Sequence, residues 1–81
     1  MLKELRSGKK VSGLKQSRRA ICGGSAQTVF LARDADPALT DPLRTLCEAQ
    51  QIPIYDACTM RELGQAAGIQ VSAAVAVLLK D

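Results

Sequence analysis

The chain has 81 residues, 47 % of them hydrophobic, with 11 lysines and arginines against 8 acids, three cysteines and no histidine. At this length it makes one domain, 1–81, which buries only about 60–65 % of its unfolded surface and so needs short loops. Without histidine the commonest general base and metal ligand is missing, and Cys22, Cys47 and Cys58 are too far apart for a metal knuckle or a disulfide framework, so a non-enzymatic chain with no metal or cofactor is expected.

All three cysteines are expected to be buried as small hydrophobes. The longest apolar run, 73–79, is too short to span a bilayer, and residues 1–10 lack the apolar centre of a signal peptide; a cytoplasmic, soluble monomer is the expectation. The net charge of +3 conceals an asymmetry, because Lys3, Arg6, Lys9, Lys10, Lys15, Arg18 and Arg19 face only Glu4 among residues 1–20, while the remainder is net acidic. A one-sided basic surface is the footprint of a polyanion binder, although a membrane surface or an acidic protein attracts the same patch.

Leu2 and Leu5 fall on one side of a short helix over 1–7, and 9–12 is a brief strand. Gly13 opens a second helix that Gly23 and Gly24 close. On it Lys15 lies one turn before Arg19 with Gln16 beside them, while Leu14, Ser17 and Ile21 recur on the opposing side. The start of such a helix presents unpaired N–H groups and a partial positive charge, and Gly13 has no side chain to keep an anion away. A solvated helix start carrying scattered cations is the other reading of this stretch.

Residues 28–33 are β-branched and aromatic enough for a central strand, and 34–40 form its exit loop around Pro37. Asp41 and Pro42 cap and start a third helix that runs to about Gln51, with Leu43, Leu46 and Cys47 inward. A short strand follows over 53–57. Thr59 and Glu62 then form a capping box for a fourth helix with Met60, Leu63 and Ala67 inward and Gly68 at its end. After a loop over 69–72, residues 73–79 read as a buried strand, although periodicity alone leaves a helix open there. The alternation of strands and helices argues for an α/β fold, a three-layer α/β/α sandwich around a four-stranded mixed sheet.

Three stretches together carry a resemblance: Gly13-Leu14-Lys15-Gln16-Ser17 with Arg19 following, Ala32-Arg33-Asp34-Ala35-Asp36-Pro37, and Leu63-Gly64-Gln65-Ala66-Ala67-Gly68-Ile69-Gln70-Val71-Ser72-Ala73-Ala74. In order and separation they resemble the kink-turn RNA-binding family of ribosomal protein L-seven-Ae, particularly its short bacterial members of the YbxF/YlxQ type. The resemblance implies a ribosome-associated protein that grips structured, kinked RNA between the start of the second helix and the loop before the last strand. It assigns Gly13, Lys15, Gln16 and Arg19 to the sheared G·A pairs and nearby phosphates, Asp36 and Thr40 to the flank of that surface, and Ile69, Gln70, Val71 and Ser72 to the bulged nucleotides. Archaeal and eukaryotic members have Asn then Glu where this chain has Lys15 then Gln16, and a lysine donates to guanine but cannot also accept as asparagine can.

Two competing functions stand beside it. The basic patch could hold an acidic partner protein, making the chain a protein-interaction module. Cys58, placed just before a capped helix, could be an activated thiol, although no histidine base accompanies it. Asp34 and Asp36 suit turn formation beside Pro37 better than metal binding, and Ile69 and Val71 read equally as core or as RNA contacts.

Overall fold

The computed structural model describes residues 2–80; Met1, included in the first predicted helix, lies outside them. The elements are α1 (Leu2–Ser7), β1 (Lys10–Ser12), α2 (Leu14–Cys22), β2 (Ala26–Leu31), α3 (Pro37–Ala49), β3 (Ile54–Tyr55), α4 (Met60–Ala66) and β4 (Val75–Leu79). The sheet runs β1-β4-β2-β3, with β4 antiparallel to both β1 and β2 and with β3 parallel to β2. It is the expected mixed four-stranded sheet.

Each face of the sheet is covered by a pair of helices, because the two central strands alternate between two apolar sets. Val29 and Leu31 of β2 and Val75 and Val77 of β4 pack with Ile21 of α2 and Leu43 and Cys47 of α3. Phe30, Ala76 and Leu78 point the other way, onto Leu5 of α1 and Leu63 and Ala66 of α4. Both central strands are therefore apolar on both faces, as a strand buried between two helical layers must be. Near the start of β2, Ala26 pairs with Leu79 while Thr28 pairs with Leu78, so Gln27 is an extra residue. That irregularity shifts the alternation by one and puts Ala26 on the same face as Val29.

Several boundaries differ from the sequence reading. Strand β2 starts and ends two residues earlier than expected, because beyond Leu31 the chain bonds elsewhere: Arg33 donates its N–H to the Cys58 carbonyl at 2.8 Å. Residues 37–40 belong to α3 instead of an exit loop. Asp36 is the N-cap, its carboxylate accepting the Ala38 N–H at 3.0 Å, with Pro37 at the first helical position. Pro42 lies inside the helix, where it has no N–H to offer the Ala38 carbonyl one turn back. The last strand is two residues shorter than expected, starting at Val75. Leu14 is 39 % exposed rather than inward, because it is the first residue of α2.

The capping box of α4 is present as expected. Thr59 Oγ1 accepts the Glu62 N–H at 3.1 Å, and the Glu62 carboxylate accepts the Thr59 N–H at 2.9 Å. That backbone bond, followed by the bond from the Thr59 hydroxyl, holds the Glu62 carboxyl below its ordinary value of 4.5. A depressed carboxyl stabilises the fold above the unfolded-state pKa, and its contribution disappears as pH falls through the folded-state value. Glu62→Gln should therefore flatten the acid limb of a plot of urea midpoint against pH below about pH 4.5. An acid limb identical to that of the unsubstituted protein would remove the charge from this cap.

Candidate nucleic-acid interface

The three stretches singled out in the sequence meet at one end of the sheet. Ser12 at the end of β1 pairs with Ala76, and the next residue, Gly13, donates its N–H to the Val75 carbonyl at 3.2 Å. The start of α2 is thereby fixed beside the first residue of β4. At the same end β2 exits, Ala32 donating its N–H to the Ala74 carbonyl at 2.9 Å. The loop 69–72 leads directly into this corner.

Gly13 is the N-cap of α2 with φ 89°, a left-handed value that favours glycine, and its side offers no capping oxygen to the first turn. A side chain there would meet nothing within 4 Å, so the position is open. The helix start is consequently exposed together with Lys15, Gln16, Arg18 and Arg19, while Ser17, Ala20 and Ile21 form the buried side. Arg44 and Asp56 form a salt bridge at 3.2 Å, whereas among the described residues no carboxylate lies in salt-bridge contact with Lys15, Arg18 or Arg19. Uncompensated cations and an uncapped helix start make an anion-attracting surface.

Across the corner, the loop 69–72 leaves α4 through Gly68 at φ 78°. Its ends are tied to α4, with Ile69 N–H on the Gly64 carbonyl at 3.1 Å and Ala73 N–H on the Met60 carbonyl at 3.0 Å. Ile69 is half-buried against the α4-side core, whereas Gln70, Val71 and Ser72 are exposed. Val71 has 71 % of its surface open, the highest exposure among the large apolar side chains described as exposed. The core assignment thus suits Ile69 in part and does not suit Val71.

The profile of the Ribosomal protein L7Ae/L30e/S12e/Gadd45 family matches residues 1–81. The chain belongs to that family. It is 37 % identical over 78 residues to an RNA-binding protein of Geobacillus sp. (strain WCH70), covering 96 % of this chain and 95 % of the relative. It is 36 % identical, with the same coverage, to the RNA-binding protein YbxF of Geobacillus stearothermophilus. Its fold superimposes on the Giardia lamblia 15.5kD RNA binding protein with a TM-score of 0.91 and 26 % identity, over 99 % of this chain and 71 % of the other.

In this member of the L7Ae/L30e/S12e/Gadd45 family, the two flanking positions divide. Asp36 is exposed beside the corner, and one of its carboxylate oxygens is engaged in capping α3. Thr40 is buried in the first turn of α3, only 6 % exposed, so its side chain is not offered to a large ligand. The earlier start of α3 is the reason: Thr40 falls on the inward face, one turn before Leu43.

The cysteines divide as well. Cys47 and Cys58 are buried as expected, but Cys22 is exposed, because it lies on the same outer flank of α2 as Leu14 and Arg18. Burial pushes the Cys58 thiol above its ordinary value, which opposes the thiolate that a nucleophile requires.

Two further residues frame this corner, Asp34, which reads from the sequence as a turn former only, and Gly64, to which the sequence gives no role of its own. Asp34 Oδ1 accepts the Met60 N–H at 2.8 Å, so the chain leaving β2 caps α4 from outside. Gly64 lies under the loop 69–72. A glycine inside a predicted helix is the signal that could have found it, since it costs about 1 kcal/mol against alanine and calls for a packing reason.

Proposed function

We propose that this domain recognises kink-turn RNA, as a ribosome-associated cytoplasmic monomer that catalyses no reaction. The start of α2 meets the base edges and phosphates through Gly13, Lys15, Gln16 and Arg19, and Gln70, Val71 and Ser72 cover the bulged nucleotides, with Ile69 anchoring their loop. The observation that carries this reading is the meeting of uncompensated cations and an exposed valine at one corner of the sheet. A-form RNA has a deep, narrow major groove closed to side chains, and a kink with a bulge opens it. RNA-binding relatives over nearly the whole chain support the same partner.

Single-strand binding by stacking is less well supported. The chain has one phenylalanine and one tyrosine; Phe30 is fully buried, and Tyr55 is half-buried with its ring centroid 5.5 Å from that of Phe30. No aromatic platform is left for bases.

Titration of the protein with a kink-turn RNA and with a straight duplex of equal length tests the reading. The kink-turn should bind more tightly, and neutralising four to six phosphates should give a log–log salt slope of about −3 to −5. Equal affinity for the two RNAs would sink it. Val71→Ser should weaken kink-turn binding by about 1 kcal/mol or more while changing stability by less than about 0.5 kcal/mol, the usual size for a surface substitution. Early unfolding in urea with unchanged affinity would return Val71 to the core.

A further inference from the structure

The loop 69–72 reverses direction after Gly68 and runs back along α4, bonded to it at both ends through Gly64 and Met60. Midway it passes directly over Gly64. A Cβ on Gly64 would collide with the Val71 carbonyl oxygen and stand 3.0 Å from Ser72 Cα and 3.1 Å from the Val71 carbonyl carbon. All three neighbours are backbone atoms, which cannot swing aside as the end of a long side chain can. Gly64 is also buried and lies within a helix of only seven residues, where alanine would be the better helix former.

The loop and the helix therefore touch backbone to backbone. With its carbonyl pressed onto α4, Val71 has its side chain on the outer surface, 71 % exposed. A side chain at position 64 would lift the loop while both of its ends stay tied, changing the height of Val71 and Ser72 above the helix.

We propose that Gly64 is the positioning residue of this interface: by leaving no side chain between α4 and the loop, it sets the height from which Val71 and Ser72 meet the kinked RNA. Gly64 touches no RNA itself. The inference rests on the kink-turn reading above and adds to it the residue that holds the second half of the grip in register.

The test compares unsubstituted protein, Gly64→Ala, Val71→Ser and the double variant in titrations with kink-turn RNA and with a straight duplex, after circular dichroism has shown each to be folded. Gly64→Ala should lose about tenfold or more in kink-turn affinity, equivalent to 1.4 kcal/mol. Its duplex affinity and salt slope should stay unchanged, since no cation has moved. The double variant should bind no more than about twofold more weakly than Gly64→Ala alone, because both changes act through one loop. A folded Gly64→Ala with full kink-turn affinity, or one that loses duplex affinity equally, overturns the inference while leaving the kink-turn reading intact. Unsubstituted protein that fails to prefer the kink-turn overturns both.

If Gly64→Ala does not fold, insertion of one glycine between Gln70 and Val71 replaces it, since a longer surface loop is tolerated and frees the height of the strap without touching α4. The insertion should cause the same selective loss. Unaltered affinity would show that loop height is immaterial.

Discussion

Phe30→Ala is expected to lower unfolding free energy by about 3–5 kcal/mol, the range for truncating a buried aromatic residue. Phe30 is the largest fully buried side chain, and its strand lies between β4 and β3, paired with Ala76 on one side and Tyr55 on the other. Ala76 is too small to fill the void, and Tyr55 lies on the short strand β3, so the site has little with which to collapse. A domain of this size holds roughly 4–12 kcal/mol in total, so the variant should lose about a quarter or more of its stability, and nearly all of it at the low end of that range. Urea denaturation measures this directly. A loss below about 1 kcal/mol would mean that the α1/α4 side of the sheet is not a packed core.

The second large effect is on binding. Lys15→Ala combined with Arg19→Ala should weaken kink-turn affinity by about 2–4 kcal/mol, since each base or phosphate contact of this kind contributes about 1–3 kcal/mol. The salt slope should become shallower by about 1.5–2 if both cations neutralise phosphates. Stability should barely change, because both side chains are exposed and neither is paired to a described carboxylate. A variant that keeps both affinity and slope would show that α2 does not face the RNA. The paired readout separates loss of contacts from loss of fold.

How much of this was legible in the sequence follows the range of the interaction concerned. The Thr59–Glu62 capping box was readable because its two partners are three residues apart and act on each other within one turn. The mixed sheet and its layers were readable from the alternation of elements and from strands apolar on both faces. The start of α3 was not, because Asp36-Pro37 and Asp41-Pro42 satisfy the same cap rule. The first pair prevails: Asp36 supplies the cap bond, and Thr40 joins Leu43 and Cys47 on the buried face. Pro42 then lies far enough inside the helix to cost it a bond without ending it.

The candidate site divides in the same way. Gly13, Lys15, Gln16 and Arg19 lie within two turns of one helix, so helical periodicity alone put the cations on one side. Nothing local shows that this helix start touches the chain entering β4, since that depends on the bond from Gly13 to Val75. Val71 was ambiguous for a related reason: an isolated valine reads as core until the backbone beneath it is known to lie flat on Gly64. Asp34 looked like a turn former, and only the distant Met60 N–H reveals it as a cap.

On the proposed reading, one corner of the sheet, made by the start of α2 and the loop 69–72, holds the kinked RNA. Mapping amide chemical-shift changes as the 81-residue chain is titrated with kink-turn RNA tests this most directly. The largest changes should fall at residues 13–19 and 69–72, on both sides of the corner at the same RNA concentration, with α1 and the far end of α3 unaffected. Changes confined to the groove between α2 and α3 around Leu14, Arg18, Leu39 and Pro42, with the loop 69–72 silent, would contradict it.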